Sequence, residues 1–320
     1  MQIRVLTADD VRSALSMTAA IDAVAGAYAQ LSAGKATMPL RSRFHTQKGV
    51  TLLMPAHLHD SGDFAVKIVS VYADNPNLGL PTVAATVLAL DPQTGMPLAL
   101  MEGDSLTALR TGAAGGVAAR YLARADARTV ALFGAGVQAR AQLQAVMAVR
   151  QIERVWVVDP FETAAQRLVD DISAWPDAPT VTLADSPQAA VAQADIVLAA
   201  TTTTTPLFDG NDLRPGTHVT GVGSFTPQMQ EIDANTIRRS RVVVDQRDAA
   251  MAEAGDIIIG KAVIDAEIGE IINGDKPGRQ NDEAITFFKS VGLAVQDAVT
   301  AAAVLKAAEA KHLGTVISMS

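Results

Sequence analysis

The segment that most constrains the fold begins at Thr129, where the apolar run Thr-Val-Ala-Leu-Phe leads directly into Gly134-Ala-Gly136-Val-Gln-Ala139. The two glycines allow a tight turn and a close approach of the backbone to a pyrophosphate, which rests at the N-terminus of the following helix. The next apolar run ends at Asp159, 25 residues after Gly134, where a ribose-binding carboxylate is expected. The pattern predicts a dinucleotide site, although a short glycine motif also fits a plain strand-to-helix turn.

Length and composition restrict the class of protein. A chain of 320 residues with 49% hydrophobic residues favours two domains with well-filled cores. The absence of cysteine excludes disulfides and cysteine metal sites, and we predict no metal centre. The net charge of −8 and the scattered basic residues argue against nucleic acid as a partner. We see neither a signal peptide nor an apolar run approaching ~20 residues, so we expect a cytoplasmic protein without a membrane span.

Hydrophobic periodicity predicts an α/β fold with two domains. Residues 1 to about 30 suggest a short strand and a helix capped near Thr7. A mostly antiparallel block, an Ala-rich helix at 106–125 and an alternation of strands and helices follow. We expect a Rossmann-type dinucleotide-binding domain at 119–292 and an α+β substrate domain built from 1–118 and 293–320. Residues from 282 onwards are predicted to be helical and to pack back on the first domain. The predicted strands are 50–54, 64–71, 82–90, 97–101, 129–133, 155–159, 181–183, 195–199, 218–222 and 242–245.

The candidate chemistry in the first domain is cationic. Strict alternation in 64–71 puts Lys67 among apolar neighbours on both faces of its strand. A buried ammonium needs an anionic partner or a lowered pKa, and the lowered pKa suits a catalytic lysine. The alternative is an edge strand whose lysine reaches solvent. Arg41, Arg43 and Arg110 offer planar forks suited to a carboxylate, or are solvated surface residues.

Several segments together resemble the ornithine cyclodeaminase/mu-crystallin family, and they cover nearly the whole chain. They are Met54-Pro55, the strand around Lys67, Asn75-Pro-Asn-Leu-Gly-Leu-Pro-Thr82, Thr107-Ala-Leu-Arg-Thr111, Gly134-Ala-Gly-Val-Gln-Ala139 and Phe288-Lys-Ser-Val-Gly-Leu-Ala-Val-Gln-Asp297. The resemblance implies a homodimer in which the first domains pair their sheets, so that 1–118 with 293–320 also serves dimerisation. It also implies a Rossmann domain inserted before a returning C-terminal helix.

The resemblance further implies the roles of individual residues. Lys67 matches the catalytic cation, and the substrate contacts are Arg41, Lys67, Arg110 and Val291, with Arg43 an open alternative to Arg41. The implied cofactor contacts are Thr82, Arg110, Thr111, Gly134, Gly136, Val137, Gln138, Asp159, Thr201, Gly221, Val222 and Ser290. The carboxylate of Asp159, followed by Pro160 and Phe161, favours NAD(H) because it repels a ribose 2′-phosphate. Many ketimine reductases of this family prefer NADPH, so the resemblance also allows NADP(H).

Two departures from the family narrow the activity. Ornithine cyclodeaminases have the pattern Gly-Gly-Asp-x-Pro, and Phe225 stands at the position of its catalytic aspartate. Leu52 stands where those enzymes carry a glutamate. Neither side chain can accept hydrogen bonds from the distal amine of ornithine. The pocket is therefore predicted to take a carboxylate attached to an apolar body. The stretch Gly223-Ser-Phe-Thr-Pro227 is similar to that of bacterial cyclic ketimine reductases. This similarity implies reduction of a cyclic ketimine carboxylate, Δ1-pyrroline-2-carboxylate or its six-membered homologue, to L-proline or L-pipecolate. The alternatives are an L-alanine dehydrogenase-like reaction, ornithine cyclodeamination, and non-catalytic binding of a nucleotide and a small carboxylate.

Overall fold

A computed structural model describes residues 1–319, which divide into two units. One unit comprises residues 1–110 together with residues from 293 onwards, and the other comprises residues 111–292. The boundary at 110 and 111 lies eight residues before the predicted one at 118 and 119. It falls inside a continuous helix, so no loop or change in composition marks it in the sequence.

The first 122 residues contain most elements of the first unit. They are β1 (Gln2–Leu6), α1 (Ala8–Ala14), α2 (Met17–Ser32), β2 (Ala36–Thr37), β3 (Ser42–His45), β4 (Val50–Leu58), β5 (Phe64–Val71), β6 (Val83–Leu90), β7 (Pro97–Glu102) and α3 (Gly103–Leu122). Thr7 caps α1 as predicted, with its hydroxyl accepting from the Asp10 N–H and the Asp10 carboxylate accepting in return. The predicted single helix is two helices, because Ser16 makes a second N-cap.

The second unit alternates strands and helices. Its elements after α3 are β8 (Thr129–Phe133), α4 (Val137–Met147), β9 (Arg154–Val158), α5 (Glu162–Ser173), β10 (Thr180–Leu183), α6 (Pro187–Val191), β11 (Ile196–Ala199), β12 (His218–Gly221), α7 (Ala234–Arg239), β13 (Ser240–Val244), α8 (Arg247–Glu253), α9 (Gly255–Ile259), β14 (Ala266–Glu267), α10 (Ile268–Ile272) and β15 (Ile285–Lys289). The chain then returns to the first unit through α11 (Ala294–Ala310) and β16 (Thr315–Ser318).

The first unit is built on a sheet of eight strands. Its order is β16-β1-β7-β6-β5-β4-β2, with β3 also paired to β4. The strands from β4 to β7 pair antiparallel, as the sequence predicted, and β1 runs parallel to β7. Helix α11 packs against β4, β5 and β6 and against α2, which buries the inner face of the sheet. Tyr28, Met54, Val87 and Met101 are among the buried side chains there.

The second unit contains a wholly parallel sheet in the order β10-β9-β8-β11-β12-β15-β13-β14. Its core lies between these strands and helices such as α4 and α5, and it includes Leu132, Leu143, Val157 and Leu198. Strand β8 is flanked by β9 on one side and by β11 on the other, so the strand order reverses there. In open parallel sheets, ligands bind at the carboxyl ends of the strands beside such a reversal. The α/β fold with a Rossmann-type sheet is confirmed.

The prediction of helix from residue 282 onwards is wrong in its first part. Residues Ile285–Lys289 form β15, which is fully buried between β12 and β13, and α11 begins only at Ala294. A strand buried on both faces shows an unbroken apolar run rather than alternation, so periodicity does not separate it from a helix. In the part of the chain that the structure describes, no helix is long and apolar enough to cross a membrane.

Candidate functional site

Lys67 lies in the middle of the first sheet rather than at an edge. Strand β5 pairs with β4 and with β6, and Lys67 stands in a cross-strand row with Met54, Val87 and Met101. These three apolar side chains are buried, and Lys67 itself is 3% exposed. A central position among buried side chains rules out the alternative in which Lys67 reaches solvent from an edge strand.

The buried ammonium is held by α3 and α11. Its Nζ donates a hydrogen bond to Thr107 Oγ1 at 2.6 Å and to Asp297 Oδ1 at 3.4 Å. Arg110 Nε donates to the same Asp297 oxygen at 3.1 Å. Asp297 therefore brings Lys67 and Arg110 together, although the two residues come from different elements.

The remaining atoms of this cluster are also fixed. Gln296 Oε1 accepts from Arg110 Nη1 at 3.2 Å, and its amide donates to the Tyr28 hydroxyl at 2.8 Å. Asp297 Oδ2 is buried and has no hydrogen-bond partner among residues 1–319. Two of the three ammonium N–H groups of Lys67 and one carboxylate oxygen of Asp297 are therefore engaged within the cluster.

The electrostatic balance of the cluster sets the protonation of Lys67. Burial is the largest cause that lowers the pKa of Lys67, and the positive charges of Arg110 and Arg41 lower it further. The carboxylate of Asp297 opposes them, and the pKa falls from 10.5 to about 8. A lysine with this pKa can both hold and release a proton near neutral pH. The cluster of Lys67, Arg110, Arg41 and Asp297 is net positive when Lys67 is protonated, which suits an anionic ligand.

Arg41 and Arg43 differ in their surroundings. Arg41 precedes β3, is partly buried, and lies close enough to Lys67 to affect its pKa. Arg43 lies within β3 on an exposed stretch, opposite Leu52 of β4. Of the two, Arg41 is therefore the arginine associated with the buried cluster.

The glycine motif forms the turn from β8 into α4. Gly134 has φ +99°, and a Cβ there would lie 2.5 Å from the carbonyl oxygen of Ala200, so only glycine fits without strain. Gly136 is the N-cap of α4, and it leaves open space where a side chain would stand. No side chain caps α4 among the described residues, so its first N–H groups remain available to a pyrophosphate. Val137 and Gln138 form the first turn, with Val137 exposed.

Asp159 stands at the carboxyl end of β9, beside that turn. Its two carboxylate oxygens accept from the backbone N–H groups of Ala135 at 2.9 Å and Phe161 at 2.8 Å. A cavity of about 540 Å³ opens next to it, lined by Asp159, Pro160, Glu162, Asp185, Thr201 and Thr205 among others. Neither lysine nor arginine is among the described residues that line this cavity. The residues present fit the ribose and adenine end of a dinucleotide.

The other predicted cofactor residues of the second unit lie at the same edge of the sheet. Thr201 follows β11, Gly221 ends β12 and Val222 follows it, and Ser290 follows β15. The N–H of Val291, the predicted substrate contact, donates to Asp245 Oδ2 at 2.9 Å, and the Ser290 hydroxyl donates to the same atom at 2.8 Å. These residues therefore lie at the carboxyl ends of the parallel strands, and their contact with a cofactor or substrate stays a prediction.

Two further predicted cofactor contacts, Thr82 and Thr111, do not follow strands of the parallel sheet. Thr82 is exposed in the turn before β6, and its carbonyl accepts from the Tyr72 N–H at 2.8 Å. Thr111 follows Arg110 in α3 and is buried, with its carbonyl accepting from the Gln142 side chain at 2.7 Å. Their contact with a cofactor stays a prediction.

Sequence reasoning missed three acidic residues that organise these sites. Asp297 resembles an ordinary acidic residue in the first turn of α11, and only the fold brings it to Lys67. Glu231 and Asp256 are fully buried in the second unit, but neither belongs to a recognisable motif. Within residues 1–319, no group of three or more His, Asp or Glu side chains is arranged to hold a metal ion.

Comparison with known proteins identifies the relatives of this chain. The sequence profile of the ornithine cyclodeaminase/mu-crystallin family matches residues 1–312. The chain belongs to this family. A Δ1-pyrroline-2-carboxylate reductase of Bacillus cereus is 39% identical over 307 residues, which are 93% of this chain and 94% of that protein.

Solved structures of family members agree in fold over the whole chain. The Δ1-pyrroline-2-carboxylate reductase of Thermococcus litoralis, in complex with NADH and L-proline, superposes with a TM-score of 0.93 at 42% identity and covers 98% of this chain and 99% of that one. An archaeal alanine dehydrogenase dimer with bound NAD has a TM-score of 0.93 at 35% identity, with full coverage of both chains. The family resemblance deduced from the sequence is confirmed.

Proposed function

We propose that this member of the ornithine cyclodeaminase/mu-crystallin family is an oxidoreductase that uses NADH to reduce a cyclic ketimine carboxylate. The substrates are Δ1-pyrroline-2-carboxylate or its six-membered homologue, and the products are L-proline or L-pipecolate. The observation that carries the proposal is the buried cluster in which Arg110 of α3 and Asp297 of α11 meet Lys67, which stands in an apolar row of the sheet. Such a cluster suits a small carboxylate attached to an apolar ring. The similarity to two pyrroline-2-carboxylate reductases supports it.

Each side chain of the cluster has a separate role in the reaction. Arg110 and Arg41 bind the substrate carboxylate, and Asp297 and Gln296 hold the Arg110 guanidinium in place. Lys67 Nζ, anchored by Thr107, donates a hydrogen bond to the imine nitrogen and transfers a proton to it. Asp297 stabilises the protonated lysine before the transfer. After the transfer, its carboxylate accepts a hydrogen bond from the new N–H group of the product. NADH supplies the hydride that adds to the imine carbon, and C=N becomes CH–NH.

The decisive experiment measures NADH oxidation by the purified protein with each of the two cyclic ketimines, together with detection of L-proline or L-pipecolate. We expect turnover with at least one of them and a product of the L configuration. NADH binding without turnover of any imine would favour the non-catalytic alternative and overturn the proposal.

The second candidate is an alanine dehydrogenase activity, since the archaeal alanine dehydrogenase covers this chain completely. In that reaction pyruvate and ammonia form the imine, which is then reduced. The same NADH assay with pyruvate and ammonium separates the two candidates. A kcat/KM for pyruvate above that for both cyclic ketimines would reverse our ranking.

Cofactor preference yields a prediction about Asp159. We expect the wild-type protein to favour NADH over NADPH by about tenfold or more in kcat/KM, because a ribose 2′-phosphate would face the carboxylate of Asp159. The double variant Asp159→Ser/Pro160→Arg should shift the preference towards NADPH by removing the repulsion and adding a cation.

The control for this prediction is Glu162→Ser, which removes another acidic residue from the wall of the same cavity. This change should alter the NADH to NADPH preference far less, because Glu162 begins α5 and does not stand at the carboxyl end of β9, where the ribose is expected. A wild-type protein that already prefers NADPH would contradict the role given to Asp159.

We also propose that the protein is a homodimer formed through the first unit. The outer face of its sheet, opposite Lys67, exposes Phe44, Ile68, Leu98 and Leu100. Helix α11 covers the other face, and apolar side chains on a solvent-facing sheet are typical of an interface. The dimer of the archaeal alanine dehydrogenase supports this arrangement.

Charge on that face should separate the subunits. Ile68→Glu/Leu100→Glu is expected to elute as a monomer in size-exclusion chromatography with light scattering, because it places several carboxylates in an apolar interface. Val263→Glu changes an exposed apolar residue of the second unit and should leave the dimer intact. A double variant with unchanged mass would refute this interface.

A further inference from the structure

The carboxylate of Glu231 joins the two loops that follow β11 and β12. Its Oε1 accepts from the Thr201 N–H at 2.6 Å and from the Thr201 hydroxyl at 2.9 Å. Its Oε2 accepts from the N–H groups of Gly223 at 2.7 Å and Ser224 at 3.2 Å. Each oxygen therefore serves one loop, and all four donors belong to residues at the ligand-binding edge of the parallel sheet.

The backbone allows this contact only because residue 223 is glycine. A Cβ there would stand 2.5 Å from Glu231 Oε1 and 2.0 Å from the Thr201 carbonyl oxygen. The two loops and the carboxylate are thus packed as closely as main chain permits. Phe225, two residues further along the same loop, is 46% exposed. The buried contacts of Glu231 therefore adjoin an accessible part of the loop.

A second buried carboxylate fixes Glu231 itself. Asp256 Oδ1 accepts from the N–H groups of Glu231 at 2.7 Å and Ile232 at 3.0 Å. The Asp256 N–H donates to the Ser224 hydroxyl at 3.1 Å, which ties α9 to the loop after β12 as well. Both carboxylates are fully buried.

A lysine balances part of this buried negative charge. Lys289, at the end of β15, is fully buried, and its Nζ lies 3.2 Å from Asp256 Oδ2. Its strand neighbours are Gly221 of β12 and Val244 of β13. Buried charges are costly unless they are paired, and these two form an ion pair, although neither Lys289 Nζ nor Asp256 Oδ2 has a hydrogen-bond partner among residues 1–319.

We propose that Glu231 is a positioning residue for the reductase, held by Asp256 and Lys289, and that it sets the geometry of the cofactor-binding loops at Thr201 and at 222–225. The inference rests on the proposed function, because those loops carry predicted cofactor contacts. It assigns to Glu231 an effect on cofactor affinity rather than a contact with reacting atoms.

The test compares Glu231→Gln with Asp195→Asn. Asp195 accepts from the Arg128 N–H and from the N–H and hydroxyl of Thr129, so it also fixes backbone, but at the amino ends of β8 and β11. Each variant turns an acceptor oxygen into an amide NH₂ that faces donors, so both should lower the melting temperature. Only Glu231→Gln should raise the Kd and KM for NADH, by roughly 10- to 100-fold, the effect of losing one hydrogen bond to a charged group. The kcat at saturating NADH should fall much less.

The outcomes separate this inference from the proposed function. Direct binding of NADH, measured by fluorescence without any imine, reports on the loops even if the wild-type protein reduces no ketimine. If Glu231→Gln does not fold, Glu231→Asp keeps the charge but shortens the side chain, so that it reaches only one loop, and the Kd should still rise. Lys289→Met should also raise the Kd, because it removes the cation paired with Asp256. Equal Kd values for the Glu231 variants, Asp195→Asn and the wild type would overturn the inference.

Discussion

Replacing Lys67 with alanine should lower turnover of the cyclic ketimine by about 10²- to 10⁴-fold, the usual contribution of a general acid-base group. NADH binding should change little, because the glycine turn and Asp159 belong to the second unit. The measurement is steady-state kinetics with the ketimine, together with NADH titration of the variant.

The control is Lys35→Ala, which removes an exposed lysine of the same unit, paired to Asp60 on the surface. It should retain nearly wild-type kinetics. A Lys67→Ala enzyme with more than half of the wild-type turnover would exclude the catalytic role.

The pH profile tests the same role without a substitution. Because burial lowers the pKa of Lys67 to about 8, the ammonium that donates the proton is present below that pH and is lost above it. The kcat/KM for the ketimine should therefore be level below about pH 8 and decline on the alkaline side.

The second large effect concerns L-ornithine, which we expect the wild-type protein not to deaminate. Leu52 lies on the same face of the sheet as Lys67, near Met54 and opposite Val69, so this part of the sheet face is apolar. The family resemblance places Phe225 where cyclodeaminases carry their aspartate. Burying the distal ammonium of ornithine without an acceptor costs several kcal/mol, which is a factor of at least 10² in binding.

The measurement is ammonia release and proline formation with saturating L-ornithine and NAD. The double variant Leu52→Glu/Phe225→Asp should lose at least about tenfold in ketimine reduction, because it puts carboxylates at the two positions that the family resemblance assigns to the apolar part of the substrate. Leu52→Met, which keeps an apolar side chain of similar volume, serves as the control. Robust ammonia release by the wild-type protein would show that other groups supply the missing carboxylates.

Local signals in the sequence were sufficient for much of the fold. The glycine turn and the strand ending at Asp159 depend on backbone sterics and on short-range periodicity, which a sequence displays directly. Alternation in 64–71 also predicted correctly that Lys67 is buried. The error at Ile285–Lys289 arose because a strand buried on both faces has no alternation to display.

The parts that the sequence did not predict depend on contacts between distant residues. Asp297 contacts Lys67 although 230 positions separate them in the sequence. An acidic residue at the start of an Ala-rich helix gives no local sign that it belongs to a substrate site. Likewise, β16 pairs with β1 only in the folded sheet. Glu231 and Asp256 act through backbone donors of other loops, so their importance is visible only once those loops are placed.

The division of the first unit between the two ends of the chain has a consequence for synthesis on the ribosome. Lys67 emerges 230 residues before Asp297, which is about 12 to 46 seconds at translation rates of roughly 5–20 residues per second. All strands of the parallel sheet precede α11, so that sheet can form while the first unit still lacks its last helix. During that interval Lys67 has no carboxylate partner, and the inner face of its sheet has no α11 to cover it. The nascent first unit is therefore the part of this protein that most needs protection from aggregation before translation ends.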